Sequence, residues 1–114
     1  MAGLPAGSIF LSAIMTGYLY ILHSTSAGHH YVGSATNLQR RLKEHKSGRV
    51  RSTKGNKDWR LLTTVKFSTA HEARRAESWL KRMRKTALLE AIVENAFTWP
   101  DDLQPVDDQV DTPQ

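Results

Sequence analysis

Three short strand-forming runs and two helix-opening signatures partition the chain between Tyr18 and Asn95 so finely that a small mixed sheet with helices packed on it is the architecture they permit. Tyr18-Leu19-Tyr20-Ile21-Leu22 is aromatic and branched and has the length of a strand. The pattern resumes at His30-Tyr31-Val32-Gly33 after the loop His23-Ser24-Thr25-Ser26-Ala27-Gly28-His29, which reads as a hairpin. Thr36-Asn37-Leu38-Gln39 has the form of a capping box. Leu38 and Leu42 follow one helical turn apart and Gly48 ends the pattern, which predicts a helix over 37–46. Leu61-Leu62-Thr63-Thr64-Val65-Lys66-Phe67 reads as a third strand. A second box, Thr69-Ala70-His71-Glu72, opens a helix striped by Ala73, Ala76, Leu80 and Met83. Thr86 to Asn95 predicts a last short helix with Leu88, Leu89, Ile92 and Val93 on its apolar side. The order ββαβαα implies an α/β chain of the α+β kind, with a three-stranded, mainly antiparallel sheet flanked by helices.

At 114 residues there is room for one domain, expected over 17–99, with a flexible leader over 1–16 and a disordered acidic tail over 100–114. Zero cysteines exclude disulfides, thiolate metal sites and thiol nucleophiles, and fit a reducing, cytoplasmic compartment. The most apolar stretch, Ile9 to Met15, is too short to span a bilayer and lacks the basic flank of a secretory leader. His29-His30 has no spacing of the HExxH type and is not read as a zinc site.

Charge is segregated. All 16 Lys and Arg lie between Arg40 and Lys85, opposed there only by Glu44, Asp58, Glu72 and Glu77; the seven acidic residues that follow meet no basic one. Such a block is the electrostatic footprint of a polyanion partner, because each cation set beside a phosphate releases condensed counterions. The candidates for backbone contact are Arg49, Arg51, Lys54 and Lys57 in a basic loop over 48–58, and Arg74 and Arg75 on the second long helix.

Tyr18-Leu19-Tyr20-Ile21-Leu22, then Tyr31-Val32-Gly33-Ser34-Ala35-Thr36-Asn37-Leu38, then Arg41-Leu42 and Glu44-His45, then Ala73, Ala76-Glu77 and Leu80-Lys81 resemble, in order and spacing, the GIY-YIG nuclease domain over roughly 17–99. The likeness is to compact single-domain members similar to the N-terminal domain of the excinuclease C subunit. Tyr18 and Leu19 depart from it, standing where the first motif has Gly and Ile.

The resemblance implies a metal-dependent endonuclease that hydrolyses DNA phosphodiester bonds and leaves 5′-phosphate and 3′-hydroxyl ends. Glu77 would be the ligand of Mg²⁺ (or Mn²⁺), and its place beside the apolar stripe predicts a partly buried carboxylate. Arg41 and His45, four residues apart, share a face of the first helix; the first would stabilise phosphate charge and the second hydrogen-bond in the site. Tyr20 and Tyr31 are the two tyrosines of the motifs. Either would serve as general base toward water, and an unperturbed phenol titrates near pH ~10. Gly33 would serve a close backbone approach or an unusual torsion before the first helix, and Asn95 either the active-site scaffold or a helix C-cap. Selectivity would rest on DNA structure, such as nicks, flaps or branched junctions in repair, or on a targeting protein partner. The alternative is an accessory module that binds nucleic acid in the same fold without cutting it, whose affinity would survive Glu77→Ala.

Overall fold

The computed structural model describes residues 14–55 and 58–106. Three strands, β1 (Gly17–Ser24), β2 (His29–Ala35) and β3 (Trp59–Phe67), form one antiparallel sheet in the order β2-β1-β3. Between and after them run helices α1 (Leu38–Lys46), α2 (Ala70–Met83) and α3 (Thr86–Val93). The element order is the expected one. β2 is therefore an edge strand, and that placement decides where the site lies.

Alternation along β1 sends its side chains to two different cores. Leu19 and Ile21 join Val32, Phe67, Ala73, Ala76, Leu80 and Ile92 beneath α2 and α3, whereas Tyr20 and Leu22 join Trp59 on the other face, packed by Tyr31, Leu38 and Leu42. The β1–β3 register skips Leu62, a bulge that follows the Ile21–Thr63 pair. Gly17 lets α2 sit directly on β1: a Cβ there would lie 2.8 Å from Thr69 O and 2.9 Å from Ala73 Cβ.

The helix ends follow the sequence signals with one shift. Thr69 Oγ1 accepts from Glu72 N at 3.1 Å, as the capping box requires, but α1 is capped by Asn37, whose Oδ1 accepts from Arg40 N at 3.1 Å. Thr36, the expected cap, lies one residue earlier. Gly48 closes α1 at φ 80° in a Schellman turn, with Gly48 N donating to His45 O and Arg49 N to Glu44 O.

The expected boundary at residue 100 is corrected by the structure. Leu103 is 3% exposed and belongs to the core beneath α2, Val106 N donates to Lys66 O at 2.7 Å, and Trp99 packs edge-on against Phe67. Proline and aspartate dominate the composition of this stretch, yet two apolar anchors suffice to dock it. Residues 107–114 of the expected tail, 1–13 of the expected leader and Lys57 lie outside the described residues. Met15 O accepts from Ala70 N at 2.6 Å, so the chain just before β1 is tied to the start of α2.

Candidate active site

Tyr20 is fully buried at the centre of the α1-side core. Its hydroxyl lies 2.8 Å from His45 Nε2 and accepts from Arg41 Nε at 3.4 Å. Arg41 and His45 reach the same atom because four residues make just over one turn of α1. His45 is 2% exposed, and its Nδ1 lies 2.8 Å from the Oγ1 of Thr53, a fully buried residue of the basic loop. The Tyr31 ring meets the imidazole edge-on at 4.9 Å and stands 6.3 Å from the Tyr20 ring. Gly33 pairs across the strands with Tyr20, and a Cβ there would run into the Tyr20 hydroxyl and ring. The close approach expected of Gly33 is thus to the tyrosine itself.

Glu77 lies on the other side of edge strand β2. Its side chain is 19% exposed, Oε1 accepts from Ser34 Oγ at 2.6 Å, and Oε2 pairs with Lys81 Nζ at 2.6 Å. Lys81 connects the two halves, since the same ammonium stands 5.4 Å over the Tyr31 ring. The site thus wraps round the β2 edge of the sheet, with Tyr20, Tyr31, Arg41 and His45 on one side, Ser34 and Glu77 on the other, and Lys81 at the rim.

Burial dominates the electrostatics. It pushes the Tyr20 phenol up to about 12, even though the Arg41 hydrogen bond works against it. His45 is pushed down to about 4, first by burial and then by repulsion from Arg41, with Glu44 partly offsetting. Arg41 is held charged more firmly than usual by its bonds to Tyr20 and to Glu44, whose Oε1 is 3.0 Å from Nη1. In neutral solution the triad is therefore a protonated phenol, a neutral imidazole and a cation.

The depressed His45 value carries a stability prediction. The unfolded imidazole takes up a proton near pH 6.5 and the folded one only near 4, so roughly 3 kcal/mol of stability present above pH 6.5 is lost as pH falls through that window. Urea denaturation of the wild type at pH 7 and pH 4.5 should show that loss, and His45→Gln should show a clearly smaller one.

Other expected residues are placed elsewhere. Asn95 adopts φ 59° just after α3 and closes a Schellman turn, its N donating to Ile92 O and Ala96 N to Ala91 O; it lines a groove with Tyr18, Phe97 and Trp99. Of its two expected roles, the helix cap is the one the geometry supplies. Arg75 lies about 160° round α2 from Glu77 and pairs with Asp102 at 3.1 Å, beside Arg82 and His71. It stands apart from the Tyr20–Arg41–His45 cluster. Arg74 is exposed on α2, and Arg49, Arg51 and Lys54 are exposed on the loop that Thr53 fastens to His45. Ser34, Thr53 and Lys81 were not singled out as site residues by the sequence.

One carboxylate with a neighbouring hydroxyl is a donor set that suits Mg²⁺ or Mn²⁺, which take few protein ligands and leave positions for water and phosphate oxygens. Among the described residues no group of three or more His, Asp or Glu side chains gathers into a richer site. No helix among them is long and apolar enough to cross a membrane.

The family model described as the GIY-YIG catalytic domain matches residues 16–89. A UPF0213 protein of Cupriavidus necator is 38% identical over 77 residues, covering 67% of this chain and 83% of that protein. One from Streptococcus pneumoniae is 33% identical over 79 residues, covering 68% and 79%. The solution NMR structure of a UPF0213 protein from Bacillus halodurans is 31% identical, covers 72% of this chain and 87% of that one, and superposes with a TM-score of 0.46.

Proposed function

Because the chain belongs to the GIY-YIG catalytic domain family, we propose that it is a metal-dependent endonuclease that hydrolyses phosphodiester bonds of DNA. The observation that carries this reading is the convergence of Tyr20, Tyr31, Arg41 and His45 with Glu77 around the β2 edge of the sheet. In this reading the candidates for DNA backbone contact are Arg49, Arg51 and Lys54, exposed on the loop that Thr53 anchors to His45. The small chain then selects its substrate by DNA structure, such as a nick, flap or branch met in repair, or through a protein partner.

Arg41 has guanidinium hydrogens beyond those given to Tyr20 and Glu44, and they bind the scissile phosphate and stabilise the charge that grows on its oxygens. Tyr31, partly buried where Tyr20 is sealed, gives its hydroxyl proton to solvent and then, as the phenolate so formed, takes a proton of the attacking water. Attack in line with the 3′-oxygen breaks the P–O3′ bond, and solvent protonates the departing oxygen, which leaves 5′-phosphate and 3′-hydroxyl ends. Glu77, held by Ser34, would carry Mg²⁺ (or Mn²⁺) in exchange for Lys81. Such an ion supplies neutralisation of phosphate charge.

The test is cleavage of labelled single-stranded, duplex, nicked, flap and four-way DNAs with Mg²⁺, Mn²⁺ or EDTA. Cleavage that requires the metal is expected, and Arg41→Ala should lower it by about 10²-fold or more while binding persists. Binding without cleavage in every metal would favour the accessory-module alternative.

A further inference from the structure

Two buried hydroxyls and one buried imidazole form a chain, Tyr20 Oη to His45 Nε2 and His45 Nδ1 to Thr53 Oγ1, whose ends are Arg41 Nε and the Val50 carbonyl, 3.4 Å from Thr53 Oγ1. A buried hydrogen without an acceptor is costly, so the direction of such a chain is fixed by its ends. Arg41 can only donate and the Val50 carbonyl can only accept. Every hydrogen then finds an acceptor in one arrangement: Arg41 donates to Tyr20, Tyr20 to His45 Nε2, His45 Nδ1 to Thr53, and Thr53 to Val50. Reversing it would leave the Tyr20 hydroxyl hydrogen with no acceptor among the described residues, in a side chain that is fully buried.

We infer that Thr53 is a positioning residue of this site: by accepting the Nδ1 hydrogen it fixes the tautomer of His45 and so aims the Tyr20 hydroxyl at Nε2, leaving the Tyr20 oxygen lone pairs to Arg41. The step rests on the nuclease reading for its consequence and not for its geometry. Held this way, Tyr20 presents an acceptor to Nε of Arg41 and keeps the guanidinium turned with its other hydrogens toward the phosphate side. The anchor of the basic loop does not depend on the Thr53 hydroxyl, because Thr53 N donates to Val50 O at 3.1 Å and Trp59 Nε1 donates to Thr53 O at 3.0 Å, both through the backbone of Thr53. Removing the hydroxyl should therefore change the tautomer and leave the loop in place.

Long-range ¹H–¹⁵N correlation spectra of the full chain, with the His45 signals assigned by their loss in His45→Gln, read this directly. The wild type should carry its hydrogen on Nδ1 with Nε2 unprotonated. Thr53→Val should lose that pattern and lower kcat by roughly tenfold with KM within a factor of two, and Thr53→Ser should restore both. A wild-type spectrum with the hydrogen on Nε2 overturns the inference, as does a folded Thr53→Val with an unchanged spectrum. If Thr53→Val fails to fold, Thr53→Ser decides, because a folded serine variant with the wrong tautomer also overturns it. The spectra hold whether or not the protein cuts DNA, so the expected tautomer without cleavage refutes the nuclease reading alone.

Discussion

Glu77→Gln should abolish detectable metal-dependent cleavage, a loss of about 10³-fold or more, while DNA affinity holds or rises. The substitution keeps the size of the side chain, and its carbonyl can still accept from Ser34, so the packing beside Ala73, Ala76 and Leu80 is preserved. What it removes is the formal negative charge that alone makes this position attractive to a divalent cation, and neutralisation of a reacting phosphate is worth several kcal/mol, with each 1.36 kcal/mol equal to a factor of ten. Affinity is expected not to fall because Lys81, paired with Glu77 at 2.6 Å, loses its partner and adds a free cation at the rim. Filter binding in EDTA beside cleavage in Mg²⁺ checks both halves. Undiminished cleavage would remove Glu77 from the reaction, and lost binding in both conditions would mean that the carboxylate serves the fold.

Much of this arrangement is legible in the sequence. Periodicity placed every strand and helix because each is bounded by a capping residue, a glycine or a basic loop, and spacing put Arg41 and His45 on one face of α1. The partial burial of Glu77 followed from its place next to the Ala73–Ala76–Leu80 stripe. Thr53 gave no such signal: it is a lone small polar residue in a loop without period, and its value comes from a tertiary contact with a helix that ends seven residues earlier. Ser34 and Lys81 were hidden for a related reason. Their meeting at Glu77 depends on β2 being the edge strand, and strand order is not written in any local pattern. The docked stretch to Val106 was masked by composition, since the buried Leu103 and the partly buried Trp99 outweigh the prolines and aspartates around them.

Tyr31→Phe should depress cleavage by about 10² to 10⁴-fold with DNA binding intact, and Tyr20→Phe by a smaller factor, near tenfold. Sequence motifs alone do not divide the two tyrosines, and the proposed division rests on their surroundings. For Tyr20 to act as a base its hydroxyl proton must first leave, and the acceptor it faces is His45. With the phenol pushed up to about 12 and the imidazole pushed down to about 4, both by burial, that transfer is strongly uphill in the free protein. Tyr20 is also sealed from water and already accepts from Arg41, so its hydroxyl is arranged to hold other groups. Tyr31 lies on the edge strand, partly buried, with the Lys81 ammonium over its ring and His45 at its side. Single-turnover rates for the two phenylalanine variants on one DNA substrate at saturating protein separate the roles. A Tyr20→Phe defect larger than that of Tyr31→Phe would exchange the two roles, because it would mean that substrate binding opens the core and lowers the cost that burial imposes on Tyr20.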